Sequence, residues 1–268
     1  MRERPIGVFD SGIGGLTVVK EIIHALPHED LIYLGDTARA PYGDQQKKTI
    51  TKFALELTKF LLGKKVKAIV VACNTISATS LREIEAISPV PVVGVIEPTI
   101  EKALSATRNK KIGVIGTRAT IESGIFEKEI KIKNNNVKII QQACPLLVPL
   151  VEEGLINSQE GKLLIADYLS KFINTHIDTL ILGCTHYPLL KGLIRSILDK
   201  EIALIDSAAP TAERLKRVLE KRNLINTGKK AKRTFYITDE PKKVFQTVNV
   251  FFDNNFPGKL EKVKLLQV

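Results

Sequence analysis

Two of the three cysteines stand where a thiol can do chemistry. Cys73 lies in Val70-Val-Ala-Cys73-Asn74-Thr75 and Cys184 in Ile181-Leu-Gly-Cys184-Thr185-His186. Each ends a short apolar run and is followed at once by small polar residues. A thiol ionises at about 8.5 and falls toward neutrality beside a helix N-terminus. It can therefore take a proton in one state and give one in the other. One thiol on each face of a carbon centre could invert that centre, with the roles exchanged in the reverse direction. Asp10 and His186 are near enough in the pattern to hold or shuttle a proton for the nearer sulfur. A lone buried cysteine is more often a small hydrophobe, and Cys144, between Ala143 and Pro145, keeps that reading. No C-x-x-C and no clustered Cys/His spacing is present, which speaks against a redox pair or a metal site. An odd number of cysteines also speaks against a disulfide framework.

Positioning two thiols this way requires a particular arrangement of elements. Residues 6–10, 31–35, 68–72 and 92–96 form four apolar, β-branched runs, separated by stretches with helical spacing such as Leu16-Val19-Ile22-Ile23 and Phe53-Leu57-Phe60-Leu61. Continuously apolar strands alternating with helices predict βαβ units around a buried parallel sheet. Four more runs follow, at 112–116, 137–141, 179–183 and 202–206. Ile112-Gly-Val-Ile-Gly116 echoes Ile6-Gly-Val-Phe-Asp10, and Val137 follows Ile112 by the interval at which Leu31 follows Ile6. An internal duplication is the economical reading. The predicted fold is α/β, with two pseudo-symmetric parallel-sheet domains and the site in the cleft between them. Residues 1–97 plus 207–268 would form the first domain and 98–206 the second. The tail supplies a helix at 210–222, a Gly-Lys-Lys-Ala-Lys connector, a strand at 234–238, a helix after Pro241 and a strand-like 260–266. It is expected to pack on the first half.

Ligands of parallel sheets bind beyond the carboxyl ends of the strands. The residues found there are Asp10-Ser11, Asp36-Thr37, Cys73-Asn74-Thr75, Thr117 and Cys184-Thr185-His186. The composition, 44% hydrophobic and 26% charged, is that of a soluble globular protein, and no apolar run approaches bilayer length. The N-terminal apolar stretch is too short for a signal peptide, so a cytoplasmic location is expected. The net charge of +11 gathers late in the chain, where aromatics are few. Solvated helix faces and a pull on anionic substrates explain it better than nucleic acid does. His24, His28 and His176 read as surface or structural, and Asp36 as a turn cap. Glu152, in Val151-Glu-Glu-Gly154, would by itself be an exposed helix end.

Five motifs in order carry a resemblance that runs nearly end to end. They are Ile6-Gly-Val-Phe-Asp-Ser-Gly-Ile-Gly-Gly-Leu-Thr17, Gly35-Asp-Thr-Ala-Arg-Ala-Pro-Tyr-Gly43, Ala72-Cys-Asn-Thr75, Cys144-Pro-Leu-Leu-Val-Pro-Leu-Val-Glu-Glu-Gly154 and Leu182-Gly-Cys-Thr-His-Tyr-Pro188. The chain resembles the glutamate racemases of the aspartate/glutamate racemase family. That resemblance implies interconversion of L- and D-glutamate for peptidoglycan, with Cys73 and Cys184 as the catalytic acid/bases. Asp10 would assist Cys73, and Glu152 and His186 would assist Cys184. Substrate contacts would come from Asp10, Ser11, Pro41, Tyr42, Gly43, Asn74, Thr75, Thr117, Thr185 and His186. It implies no pyridoxal phosphate, metal or nucleotide, and a homodimer. Three alternatives stay open: another acidic or hydantoin-type substrate on the same scaffold, a dinucleotide-binding dehydrogenase, and a two-lobed binding protein. The second rests on Gly12-Ile-Gly-Gly15 after the first strand, but Thr17 stands where the third glycine of the fingerprint belongs.

Overall fold

Strands without a polar face must be covered on both sides, and these are. In the computed structural model, which describes residues 1–228, 231–252 and 254–265, strand β1 (Ile6–Asp10) is buried at every position. Its alternate residues feed two apolar clusters. Ile6 and Val8 pack with Val70 and Ala68 on one face, and Phe9 packs with Val71 and Ile69 on the other. Helix α1 (Leu16–Ala25) covers the first face through Leu16, Val19 and Ile22, and α2 (Lys47–Gly63) covers the second through Ile50, Ala54, Leu57 and Leu61.

The chain continues through β2 (Leu31–Gly35), β3 (Ala68–Val71), α3 (Asn74–Ile87), β4 (Val92–Gly94) and α4 (Ile96–Ala106). A second series follows: β5 (Lys111–Gly116), α5 (Arg118–Glu122), α6 (Ile125–Lys133), β6 (Lys138–Ala143), α7 (Leu147–Glu152), α8 (Gln159–Ser170), β7 (Thr179–Gly183), α9 (Lys191–Ile197) and β8 (Ala203–Asp206). The tail adds α10 (Ala208–Lys221), β9 (Arg233–Ile237), α11 (Pro241–Phe251) and β10 (Leu260–Lys262).

Two sheets result, ordered β10-β9-β2-β1-β3-β4 and β6-β5-β7-β8, and among the described residues every strand pair is parallel. The order β2-β1-β3-β4 is repeated as β6-β5-β7-β8, the arrangement expected of a duplication. Register strengthens the equivalence of the thiols. Ile6 pairs with Ala68 and Ile112 with Thr179, and Cys73 and Cys184 lie at the same remove beyond those partners. The tail extends the first sheet, with β9 beside β2 and α10 on α1.

Several boundaries differ from expectation. Strand β6 begins at Lys138, and Ile112 pairs with Ile139, so the matching interval at Val137 does not hold. Val137 is fully buried under α6 with Phe126 and Ile130. It is an apolar anchor just before an edge strand that is itself half-exposed. The run at 92–96 is divided, because Ile96 opens α4, whose own inner face prolongs the apolar pattern. The last strand stops at Lys262, and Leu266, like Lys229 and Lys230 of the connector, lies outside the described residues. Among the described residues no helix is long and apolar enough to cross a membrane.

Candidate active site

The carboxyl ends of β1, β3, β5 and β7 converge on a cleft of about 380 Å³, its mouth included. Of the residues singled out from sequence, Ser11, Pro41, Tyr42, Gly43, Cys73, Asn74, Thr75, Thr117, Glu152, Cys184, Thr185 and His186 line it. Asp10 does not; it lies directly behind the wall. Gly12, read in the sequence only as part of a dinucleotide fingerprint, also faces the cleft, as do Ala40 and Val148, which as small or apolar residues carried no signal.

Cys73 caps the N-terminus of α3. Its sulfur receives the Ile76 N–H at 3.5 Å and stands 3.3 Å from the Ser11 hydroxyl. The helix end alone would lower its pKa, as the sequence suggested. Burial and the nearby Asp10 charge outweigh those contacts and push the thiol up to about 12. Cys73 is thus a protonated thiol at neutral pH.

The Cys184 side is built differently. No α-helix follows the sulfur at once; a 3-10 turn at Tyr187–Leu190 intervenes before α9. An imidazole takes the place of the helix end. His186 Nδ1 is 3.9 Å from Cys184 Sγ, and its Nε2 is 2.9 Å from Glu152 Oε1. Burial alone would lower the imidazole pKa, but hydrogen bonds to Cys184 and Glu152, with their charges, raise it to about 10. Glu152 ends α7 and keeps 36% of its side-chain exposure, the helix-end placement expected, yet it reaches inward. Helix α11 backs the pair: Thr247 donates to the Glu152 carbonyl and Phe251 meets His186 edge-on. Cys144 is a buried core residue whose carbonyl accepts from Tyr187 Oη at 2.8 Å.

Asp10 Oδ2 accepts the N–H groups of Gly12 (3.2 Å) and Gly15 (3.0 Å), while Oδ1 is buried without a partner. Burial raises its pKa against the lowering influence of His186 and those N–H groups. The glycine loop that suggested a dinucleotide site therefore closes on the chain's own carboxylate. The N–H groups that would cradle a pyrophosphate are occupied. Asp36, the other element of that reading, is fully buried and bonded to Tyr42, Arg39 and Thr238.

Polar donors complete the cleft. Thr75 Oγ1 lies 2.8 Å from Thr117 Oγ1 and 3.2 Å from Thr120 Oγ1, and Asn74 Nδ2 donates to Ser207 at 3.1 Å. Gly43 sits so close to Thr117 that a Cβ there would meet the threonine Cβ at 2.9 Å. Gly14 approaches the opposite strand end as closely.

A duplicated pair of parallel α/β sheets, with one thiol from each sheet in a single small polar cleft, defines an enzyme of the proton-transferring isomerase type. Residues 6–215 match the Asp/Glu/Hydantoin racemase family, and the chain belongs to it. A glutamate racemase of Sulfurihydrogenibium sp. is 47% identical over 97% of this chain and 97% of its own. Among solved structures, a glutamate racemase isoform from Bacillus anthracis superposes with a TM-score of 0.95 at 36% identity, covering 100% of both chains. The glutamate racemase of Francisella tularensis, solved with D-glutamate, gives 0.91 at 41% identity over 99% of this chain and 98% of that one.

Proposed function

We propose that this enzyme racemises glutamate by two-base proton transfer between Cys73 and Cys184. The observation that carries the reading is that the two sulfurs, at equivalent strand ends of the two sheets, line one cleft. One sulfur, as thiolate, takes the α-proton and becomes a thiol. The other thiol returns its proton to the opposite face of the carbanion and is left as thiolate. Cys73 rests as the proton donor, and the Cys184–His186–Glu152 chain provides the accepting side. Asp10 acts through charge on the Cys73 side. The N–H and hydroxyl donors of Ser11, Tyr42, Gly43, Asn74, Thr75, Thr117 and Thr185 hold the two carboxylates. They also stabilise the charge that spreads onto the α-carboxylate as the proton leaves. The division into 1–97 plus 207–268 and 98–206 places one thiol on each domain. The resemblance to glutamate racemases also supports reading it as a cytoplasmic homodimer that supplies D-glutamate to peptidoglycan.

The test is L-glutamate in deuterated water with purified enzyme. The expected result is loss of optical rotation with deuterium at the α-carbon, abolished in Cys73→Ala and Cys184→Ala. Full activity in either variant overturns the two-thiol mechanism. A single Cys→Ser change should also impair the two directions unequally, since each sulfur abstracts from one enantiomer only.

A further inference from the structure

Behind the cleft wall formed by Ala40–Gly43 lies a charged cluster of two buried carboxylates and a half-buried guanidinium, and none of the three lines the cleft. Asp36 follows β2 and is fully buried. Its Oδ2 receives the Tyr42 hydroxyl and Arg39 Nε (2.6 Å), and its Oδ1 receives the Thr238 hydroxyl (2.8 Å). Arg39 Nη1 donates to Glu56 Oε2 at 2.5 Å, and the guanidinium lies over the Phe53 ring at 3.9 Å. Tyr42 packs on the same ring, with centroids 5.5 Å apart. Glu56 is a carboxylate among the buried Ile50, Ala54, Leu57 and Leu61 of α2.

An ion pair with a buried carboxylate is seldom retained for stability, since apolar side chains of similar volume do as well or better. Its effect is to fix position. What it fixes is visible on the cleft side. Among the described residues, neither the Tyr42 nor the Gly43 N–H has an acceptor, although both residues are buried and line the cleft. Two adjacent free N–H groups form a small concavity for an anion. The Gly43 carbonyl is tied to Ala119 N–H across the cleft at 2.8 Å, so the loop is held from both sides.

We propose that Arg39 and Glu56 are positioning residues for substrate binding. Through Asp36 and the Tyr42 hydroxyl they aim the Tyr42 and Gly43 N–H groups at a carboxylate of the substrate. This rests on the racemase reading above. The pair touches neither sulfur, so it governs affinity rather than proton transfer.

The experiment compares glutamate racemisation by the full-length wild type, Glu56→Gln and the double variant Arg39→Met/Glu56→Met, with a thermal melt of each. Glu56→Gln keeps the shape and removes the charge. The double variant removes the Arg39–Glu56 pair and leaves Asp36 with the Tyr42 and Thr238 hydroxyls, and the melt reports whether it is folded. The expected result is a KM raised about tenfold or more in both, with kcat within about threefold of wild type. Arg39→Lys, which keeps the charge but cannot serve two carboxylates at once, should be intermediate. Wild-type KM in a folded double variant overturns the proposal, as does a fall in kcat with KM unchanged. If the wild type itself fails to racemise glutamate, the racemase reading falls first and this proposal with it.

Discussion

The two sulfurs have different neighbours. Cys73 is kept as a thiol by burial and by Asp10, with a hydroxyl and a helix N–H as its neighbours. Cys184 stands 3.9 Å from an imidazole nitrogen, and a carboxylate holds that imidazole in turn. His186 is the group whose titration should shape the alkaline limb of activity. Its pKa stands raised to about 10, so its charge is complete below the ordinary histidine range of about 6.5 and is lost as pH rises through about 10. The stability that charge contributes follows the same window. Removing the Glu152 charge removes part of the raise. In Glu152→Gln the alkaline limb of kcat/KM should therefore move to lower pH by about one unit or more. A pH–rate profile with an unmoved limb would show that Glu152 does not act through His186. The thiols were legible in sequence because polar residues follow them at matching strand ends. Asp36 was not, because a strand-end acid reads alike whether it caps a turn or anchors a buried cluster. Glu152 was legible only through resemblance, since an acid at a helix end gives no sign of reaching a histidine 34 residues away.

At the level of elements, the amino ends of the first sheet are joined by one buried ion pair. Lys67, immediately before β3, is paired with Glu29 from the loop before β2, and both are almost wholly buried. Its Nζ also donates to the carbonyls of Arg2 (2.5 Å) and Leu224 (2.8 Å), and Glu29 Oε1 takes the Asn226 N–H at 2.8 Å. The N-terminal segment, two strands and the lead-in to β9 thus meet at one ammonium group. Lys67→Met strands a carboxylate in the interior and should cost about 3–5 kcal/mol in urea denaturation. Adding Glu29→Met should recover most of that loss. Equal instability of the single and double variants would mean that the hydrogen bonds to the carbonyls matter and the charge pair does not. This joint could not be read in advance, because it links residues from four separate segments. The strands themselves were readable because continuous apolar runs have one solution, burial on both faces. Where that rule blurred, at Val137 and Val95-Ile96, the apolar pattern belonged to the flanking packing and not to a ladder.

The whole molecule is held across its cleft by polar contacts more than by a shared core. The larger apolar clusters divide largely by sheet. Between the sheets run hydrogen bonds from Thr75 to Thr117, from Ala119 to Gly43 and from Thr17 to Thr185, with an exposed Arg118–Asp44 pair at the mouth. Interfaces of this polarity part and rejoin readily, as a substrate entering between two buried sulfurs requires. Proton transfer in both directions then depends on the sheets returning to one spacing, and at Gly14 the two sides approach closely. A Cβ on Gly14 would lie 2.3 Å from Thr185 Oγ1 and 2.5 Å from the His186 ring, both on the opposite sheet's strand end. Gly14→Ala should wedge the cleft by a fraction of an ångström to an ångström. It should lower kcat/KM about a hundredfold, the cost of misplacing reacting groups by that distance. Gly14 lies in the loop between β1 and α1, outside both sheets, so the melting temperature should move little. Gly192→Ala, in α9 with open space around its Cβ position, is the control and should leave activity unchanged. A Gly14→Ala enzyme of wild-type activity would mean that the sheets tolerate a wider spacing. A large fall in melting temperature would make the site a joint of the fold, not a gauge of closure.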